Sequence, residues 1–245
     1  MKRPIRFLAI LLLAVSNITQ MATAEPTCED CTHDKAYSAA KIYGTKPTRG
    51  IILHLHGCAG LRAGQGWQRE WVDYFTFHGF LVIAIDSFAD VRPPPAACPG
   101  NPWVYEKNLI YTLRTRQAQY AVTMIRTKYP AQEIFVWGHG EGGVTAQTMT
   151  ADIDGVISTG TPCPDEWLEG IAQTPLIIIQ GTNDEYLREA KNNPLYDSLD
   201  DRCKMLMNQP NWEWLTVEGM GHPAELSRMD VKARISQFLG IPYSQ

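Results

Sequence analysis

Short apolar runs alternate with longer amphipathic stretches along most of this chain. The runs "IILHLHG" (51–57), "FLVIAID" (80–86), "EIFVWG" (133–138), "GVISTG" (155–160), "PLIIIQG" (175–181) and "WEWLTVEG" (212–219) mostly end in Gly or Asp, as strands buried on both faces do. Between them lie helix candidates: "GWQREWVDYFTFHG" (66–79), "VYEKNLIYTLRTRQAQYAVTMIRTKY" (104–129, stopped by Pro130), "GGVTAQTMTA" (142–151), "PLYDSLDDRCKMLM" (194–207) and "AELSRMDVKARISQFLG" (224–240). Strand and helix repeated in this order predict an α/β chain with a parallel sheet covered on both faces. In such sheets the site forms outside the carboxyl ends of the strands, so the residues just after each run carry the functional question.

Those residues are "HGCAG" (56–60), the proline-rich "SFADVRPPPAACPGNP" (87–102), the turn in "VWGHGEGG" (137–144), "TND" with Asp184, and "MGH" with His222. A sharp turn, then an acid, then a histidine, each after a strand, is the order of an α/β-hydrolase triad. The octet also permits a rival reading, because Gly138, Gly140 and Gly143 spell a phosphate-binding G-x-G-x-x-G between a strand and a helix. A dinucleotide site needs an acid about 20 residues on, at the end of the next strand. Here Asp152 and Asp154 precede that strand, and Thr161 and Pro162 follow it. The acid is at the wrong end.

The segments "LHGCAG", "IDSFADVRP" with Cys98 beyond it, "WGHGEGG", "IIQGTND" and "GMGH", in this order, resemble the dienelactone hydrolase branch of the α/β-hydrolase superfamily, over about Lys41 to Leu239. The resemblance implies an α/β-hydrolase fold with a mostly parallel central sheet, helices on both faces, no cofactor and no metal. It further implies a small ester- or lactone-like ligand, an oxyanion hole from the N–H groups of Cys58 (or Ala59) and Glu141, and Asp184 orienting His222. No large insertion follows 155–160, the usual place for a lid, so no large lid domain is expected. The family's nucleophile, serine or cysteine, aligns with Gly140, and glycine has nothing to attack with. Hydrolysis through an acyl-enzyme should therefore be lost or very weak. The alternative is a small-molecule-binding or interaction protein that kept the fold without the chemistry.

Several residues have plainer readings. His56 suits a structural part of the oxyanion turn, and His54, His78 and His139 suit core, helix-end and elbow-flanking positions. Ser87 and Ser158 read as packing or rim residues, and Trp103, Tyr105 and Trp167 as loop aromatics on the site face.

Compartment changes the picture next. Lys2, Arg3 and Arg6 precede "FLAILLLAV", and "ATA" (22–24) offers small residues for cleavage, so residues 1–24 read as a secretory signal and 25–245 as one exported domain, secreted or periplasmic. No run reaches the roughly 20 apolar residues of a membrane span, and no lipid-attachment pattern precedes Cys28. Cutting the leader takes the net charge from −4 to about −7, which argues against nucleic acid or an anionic membrane as partner. An oxidising compartment favours disulfides among the six cysteines, read here as Cys28 with Cys31, Cys58 with Cys98, and Cys163 with Cys203. A zinc site at "CEDCTH" would have only three nearby ligands where a closed site needs four.

Overall fold

The computed structural model describes residues 28–61, 65–89, 107–161, 173–185, 209–222 and 226–243, with side chains described from His33 in the first helix and Tyr111 in the third. The expected leader, the helix at 194–207, the aromatics Trp103, Tyr105 and Trp167, and Cys98, Cys163 and Cys203 lie outside the described residues. The order of elements is α1 (Cys28–Ser38), β1 (Lys41–Tyr43), β2 (Gly50–Leu55), α2 (Gly66–Phe77), β3 (Phe80–Ile85), α3 (Lys107–Lys128), β4 (Glu133–His139), α4 (Glu141–Gln147), β5 (Gly155–Thr159), β6 (Leu176–Gly181), β7 (Trp212–Val217) and α5 (Met229–Phe238).

The seven strands form one sheet in the order β1-β3-β2-β4-β5-β6-β7, parallel except for β1, which runs antiparallel to β3. From β2 the chain adds β3 on one side and then returns to add β4 on the other. The reversal leaves a crevice at the carboxyl ends of β2 and β4, the switch point at which ligands bind in open α/β sheets.

Strand alternation divides the core into two layers. Ile51, Leu53 and Leu55 of β2 pack with Ala118, Val122 and Ile125 of α3 and Ala146 of α4. Ile52 points the other way, with Phe135 and Trp137 of β4, onto Trp71 and Phe75 of α2 and Val231 and Ile235 of α5. Because both faces are covered, β2, β3, β5 and β6 are buried along their whole length.

All six predicted strands form, and their ends differ for local reasons. β2 stops at Leu55, two residues early, because His56 turns aside and its ring accepts the Ser87 N–H. The helix predicted over 142–151 ends at Gln147, where the Thr148 hydroxyl donates back to the Thr145 carbonyl at 3.0 Å. The last helix begins at Met229, after an extended Arg228; 224 and 225, where its start was expected, lie outside the described residues. Two elements have no counterpart in the hydrophobic pattern. β1 is a three-residue edge strand, too short to show a period. α1 covers "CEDCTHDKAYS", and among its described side chains His33 and Tyr37 lie against Tyr120 of α3.

Candidate functional site

The turn between β4 and α4 is built by glycines of two kinds. A Cβ at Gly138 would strike the Gly142 carbonyl, one at Gly142 would strike the Leu55 carbonyl, and one at Gly143 would lie 2.7 Å from the Ser158 hydroxyl. These three let α4 settle directly on β2, β4 and β5. Packing thus accounts for Gly138 and Gly143, two of the three glycines on which the phosphate-loop reading depends. Asp154 is spoken for as well, since its carboxylate accepts the Ile134 N–H and pairs with Arg126 at the amino ends of β4 and β5.

Gly140 differs from its neighbours. Its backbone sits at φ 55 and ψ −121, a positive-φ conformation that costs a residue with a Cβ but little for glycine. The turn is held by the Gly140 N–H donating to the Thr159 carbonyl (3.0 Å) and by the Gly140 carbonyl accepting from Gly143 and Val144. Among the described residues a Cβ here would meet only His222 Nε2 at 3.7 Å and the Gly57 Cα at 3.9 Å, both ordinary contacts. There is room for a side chain, and it would face an imidazole.

That imidazole is delivered by two interlocked loops. Asn183 N–H donates to the Met220 carbonyl (3.0 Å), Thr182 N–H to the Val217 carbonyl (3.1 Å), and Gly219 N–H to the Thr182 hydroxyl (2.8 Å). The absence of a side chain at Gly181 allows the approach, because a Cβ there would run into the Met220 carbonyl. The result brings Asp184 Oδ2 to 2.9 Å from His222 Nδ1, with the Asp184 side chain fully buried and that of His222 20% exposed. A carboxylate accepts only, so Nδ1 carries the proton and Nε2 is the atom turned toward Gly140.

The opposite wall is the loop after β2. His56 is completely buried, accepts the Ser87 N–H at Nε2 (3.0 Å) and therefore donates from Nδ1 to the Gly57 carbonyl (2.7 Å). Arg114 of α3, also buried, donates to the His56 carbonyl from one nitrogen and to Glu141 Oε2 from another at 2.9 Å. Cys58, next along the loop, is disulfide-bonded, which removes it as a free thiol.

Electrostatics separate the histidines. Burial pushes His54 down to about 3. Burial, and then the Arg114 charge, hold His56 well below its usual range. Burial, and then the neighbouring His222, also hold His139 well below its usual range. These three rings are structural and neutral. His139 packs between Trp67 of α2 (4.3 Å) and His222 (4.7 Å), forming the floor on which His222 rests.

The structure thus brings together Gly140, Glu141, Asp184, His222 and the 56–58 loop. It adds contributors with little signal in the chain. Arg114 looks like any polar residue of an amphipathic helix. Gly160 ends a predicted strand, but its φ of 58 and the 2.6 Å that a Cβ would leave to the His222 carbonyl show that it makes room for the histidine. A glycine after "GVIST" was the available clue. Among the described residues no cluster of ligands suited to a metal occurs.

Comparison with solved structures gives the fold. An esterase from Pyrococcus furiosus matches at 16% identity and a TM-score of 0.55, over 78% of this chain and 81% of that one. An α/β serine hydrolase homologue from Coxiella burnetii matches at 16% identity and 0.52, over 82% and 89%. A Xanthomonas campestris α/β serine hydrolase described as lacking a lid matches at 13% and 0.52, over 84% and 90%. This chain has the α/β-hydrolase fold. No protein-family model and no curated protein matches it.

Proposed function

We propose that this is an exported small-molecule site on an α/β-hydrolase fold, of the dienelactone hydrolase kind, that receives an ester- or lactone-like ligand and does not form an acyl-enzyme. The observation that carries the reading is the emptiness at Gly140: an elbow backbone with room for a side chain, His222 Nε2 3.7 Å from where its Cβ would be, and no atom to attack with. In this reading the N–H groups of Cys58 (or Ala59) and Glu141 receive the carbonyl oxygen. His222, oriented by Asp184, activates a water standing in the vacated space, giving slow single-step hydrolysis. Export through a leader cut near Ala24, with the Cys58 disulfide closed by Cys98, belongs to the same proposal.

The same glycine favours a second reading, a binding protein with no turnover. An ester and lactone panel on the wild-type protein beside His222→Ala separates them. Turnover that collapses in His222→Ala supports the enzyme. No turnover in either, with ligand binding retained, supports the binder, and turnover unchanged in His222→Ala belongs to a contaminant.

A further inference from the structure

We propose that Arg114 is a positioning residue that sets the two halves of the oxyanion corner against each other. This rests on the reading of that corner given above. One half is the loop after β2, the other the turn at Gly140 and Glu141, and they approach until Gly57 Cα lies 3.9 Å from where a Gly140 Cβ would stand. Arg114 comes from a third element, α3, and grips both: Nη1 donates to Glu141 Oε2 at 2.9 Å and Nη2 donates to the His56 carbonyl.

The grip extends sideways. Phe88, from the loop after β3, lies under the guanidinium at 5.4 Å and against the His56 ring at 4.8 Å. His56 in turn holds the Gly57 carbonyl and the Ser87 N–H. One planar cation therefore fixes which way the Gly57–Cys58 peptide faces relative to the Glu141 peptide. The fork is what suits it, since a guanidinium presents donors in fixed directions and an ammonium does not.

Stability alone does not account for this arrangement. Arg114 is 1% exposed, and its Nε finds no acceptor among the described residues. Buried ion pairs of this kind are often matched or bettered by apolar residues of similar volume, because desolvation offsets the attraction. A buried cation whose net gain to the fold is small and that still touches both halves of the corner is placed for geometry.

The test uses Arg114→Met and Arg114→Lys in a Gly140→Ser background, with p-nitrophenyl acetate as substrate. Loss of a well-aimed oxyanion donor typically lowers kcat by about 10²-fold. A loss of that order is expected in both variants with KM little changed; Tm falls in both, because the Glu141 carboxylate and the His56 carbonyl lose or misplace a buried partner, so kcat is read well below either Tm. Rescue by lysine would mean that charge, not placement, matters, and would overturn the proposal. So would an unchanged kcat, or a loss that simply follows Tm.

If Gly140→Ser is itself inert, the catalytic reading has failed, and placement is read instead from amide resonances in the otherwise wild-type protein. Arg114→Met and Arg114→Lys should then shift the Cys58 and Glu141 amide signals together while leaving that of Ile178 in the sheet unmoved. If either site amide stays in place, Arg114 does not position the corner.

Discussion

Replacing Gly140 by serine tests the site at the atom on which its reading depends. The backbone there holds φ 55 and ψ −121, and a residue with a Cβ in such a conformation costs about 1 to 3 kcal/mol. The described residues add no steric cost, since the nearest of their atoms to the new Cβ stand at 3.7 and 3.9 Å. For a domain of this size each kcal/mol is worth about 2 to 4 °C, so Tm should fall by roughly 2 to 12 °C. The gain is chemical. A hydroxyl carried about 1.4 Å from that Cβ toward the ring comes within the roughly 2.6 to 3.2 Å at which a base takes a proton. Removing a triad nucleophile costs about 10⁶-fold in turnover. A site never tuned for the serine should recover only part of that, on the order of 10³-fold over wild type. The assay is p-nitrophenyl acetate hydrolysis, with a fluorophosphonate and mass spectrometry to identify the labelled serine. Gly140→Ala serves as the control that loses Tm without gaining activity. A folded Gly140→Ser that is neither labelled nor faster than wild type refutes the elbow, or its pairing with His222. A Tm that rises refutes the strain argument.

Three further outcomes follow from the geometry. Burial keeps His54 near 3 and His56 and His139 well below 6.5, so the folded state binds fewer protons than the unfolded one. Stability is then complete above about pH 6.5 and drains as pH falls toward 3. At pH 5.5 these rings are mostly protonated in the unfolded chain and neutral in the folded one, so the urea midpoint should be lower at pH 5.5 than at 7.5, and midpoints that coincide would contradict this. Gly160→Ala, whose Cβ would lie 2.6 Å from the His222 carbonyl and 3.1 Å from its Cε1, should lower Tm and displace the imidazole. In a Gly140→Ser background it should also abolish the recovered activity, and retention of both properties would show that the loop yields at no cost. Asp184→Asn in that background should return kcat most of the way to the wild-type level, by favouring the wrong His222 tautomer, measured with the same ester; an unchanged rate would remove Asp184 from the site.

Much of the fold was legible because burial on two faces writes itself into the chain as uninterrupted apolar runs. "IILHL", "FLVIAI" and "LIIIQ" could be little else, and their alternation with helices implied parallel pairing. β1 was illegible because three residues carry no period, and α1 because its charged sequence shows, among its described side chains, only His33 and Ala36 buried and Tyr37 half-buried. The order of Gly140, Asp184 and His222 was readable as a pattern of post-strand residues. Whether they would meet was not readable.

Local chemistry accounts for the elements and for one absence. A glycine at residue 140 excludes a side-chain nucleophile there in any conformation, and the strand-end glycines mark where backbone must turn or be approached. Assembly accounts for the rest. Asp184 and His222 are 38 residues apart and meet at 2.9 Å because the loops after β6 and β7 hydrogen-bond to each other. Arg114 and Glu141 join only because α3 lies beside the β2–β4 crevice. Such contacts depend on the sheet order, in which consecutive strands need not be neighbours, and no local pattern of residues encodes that order.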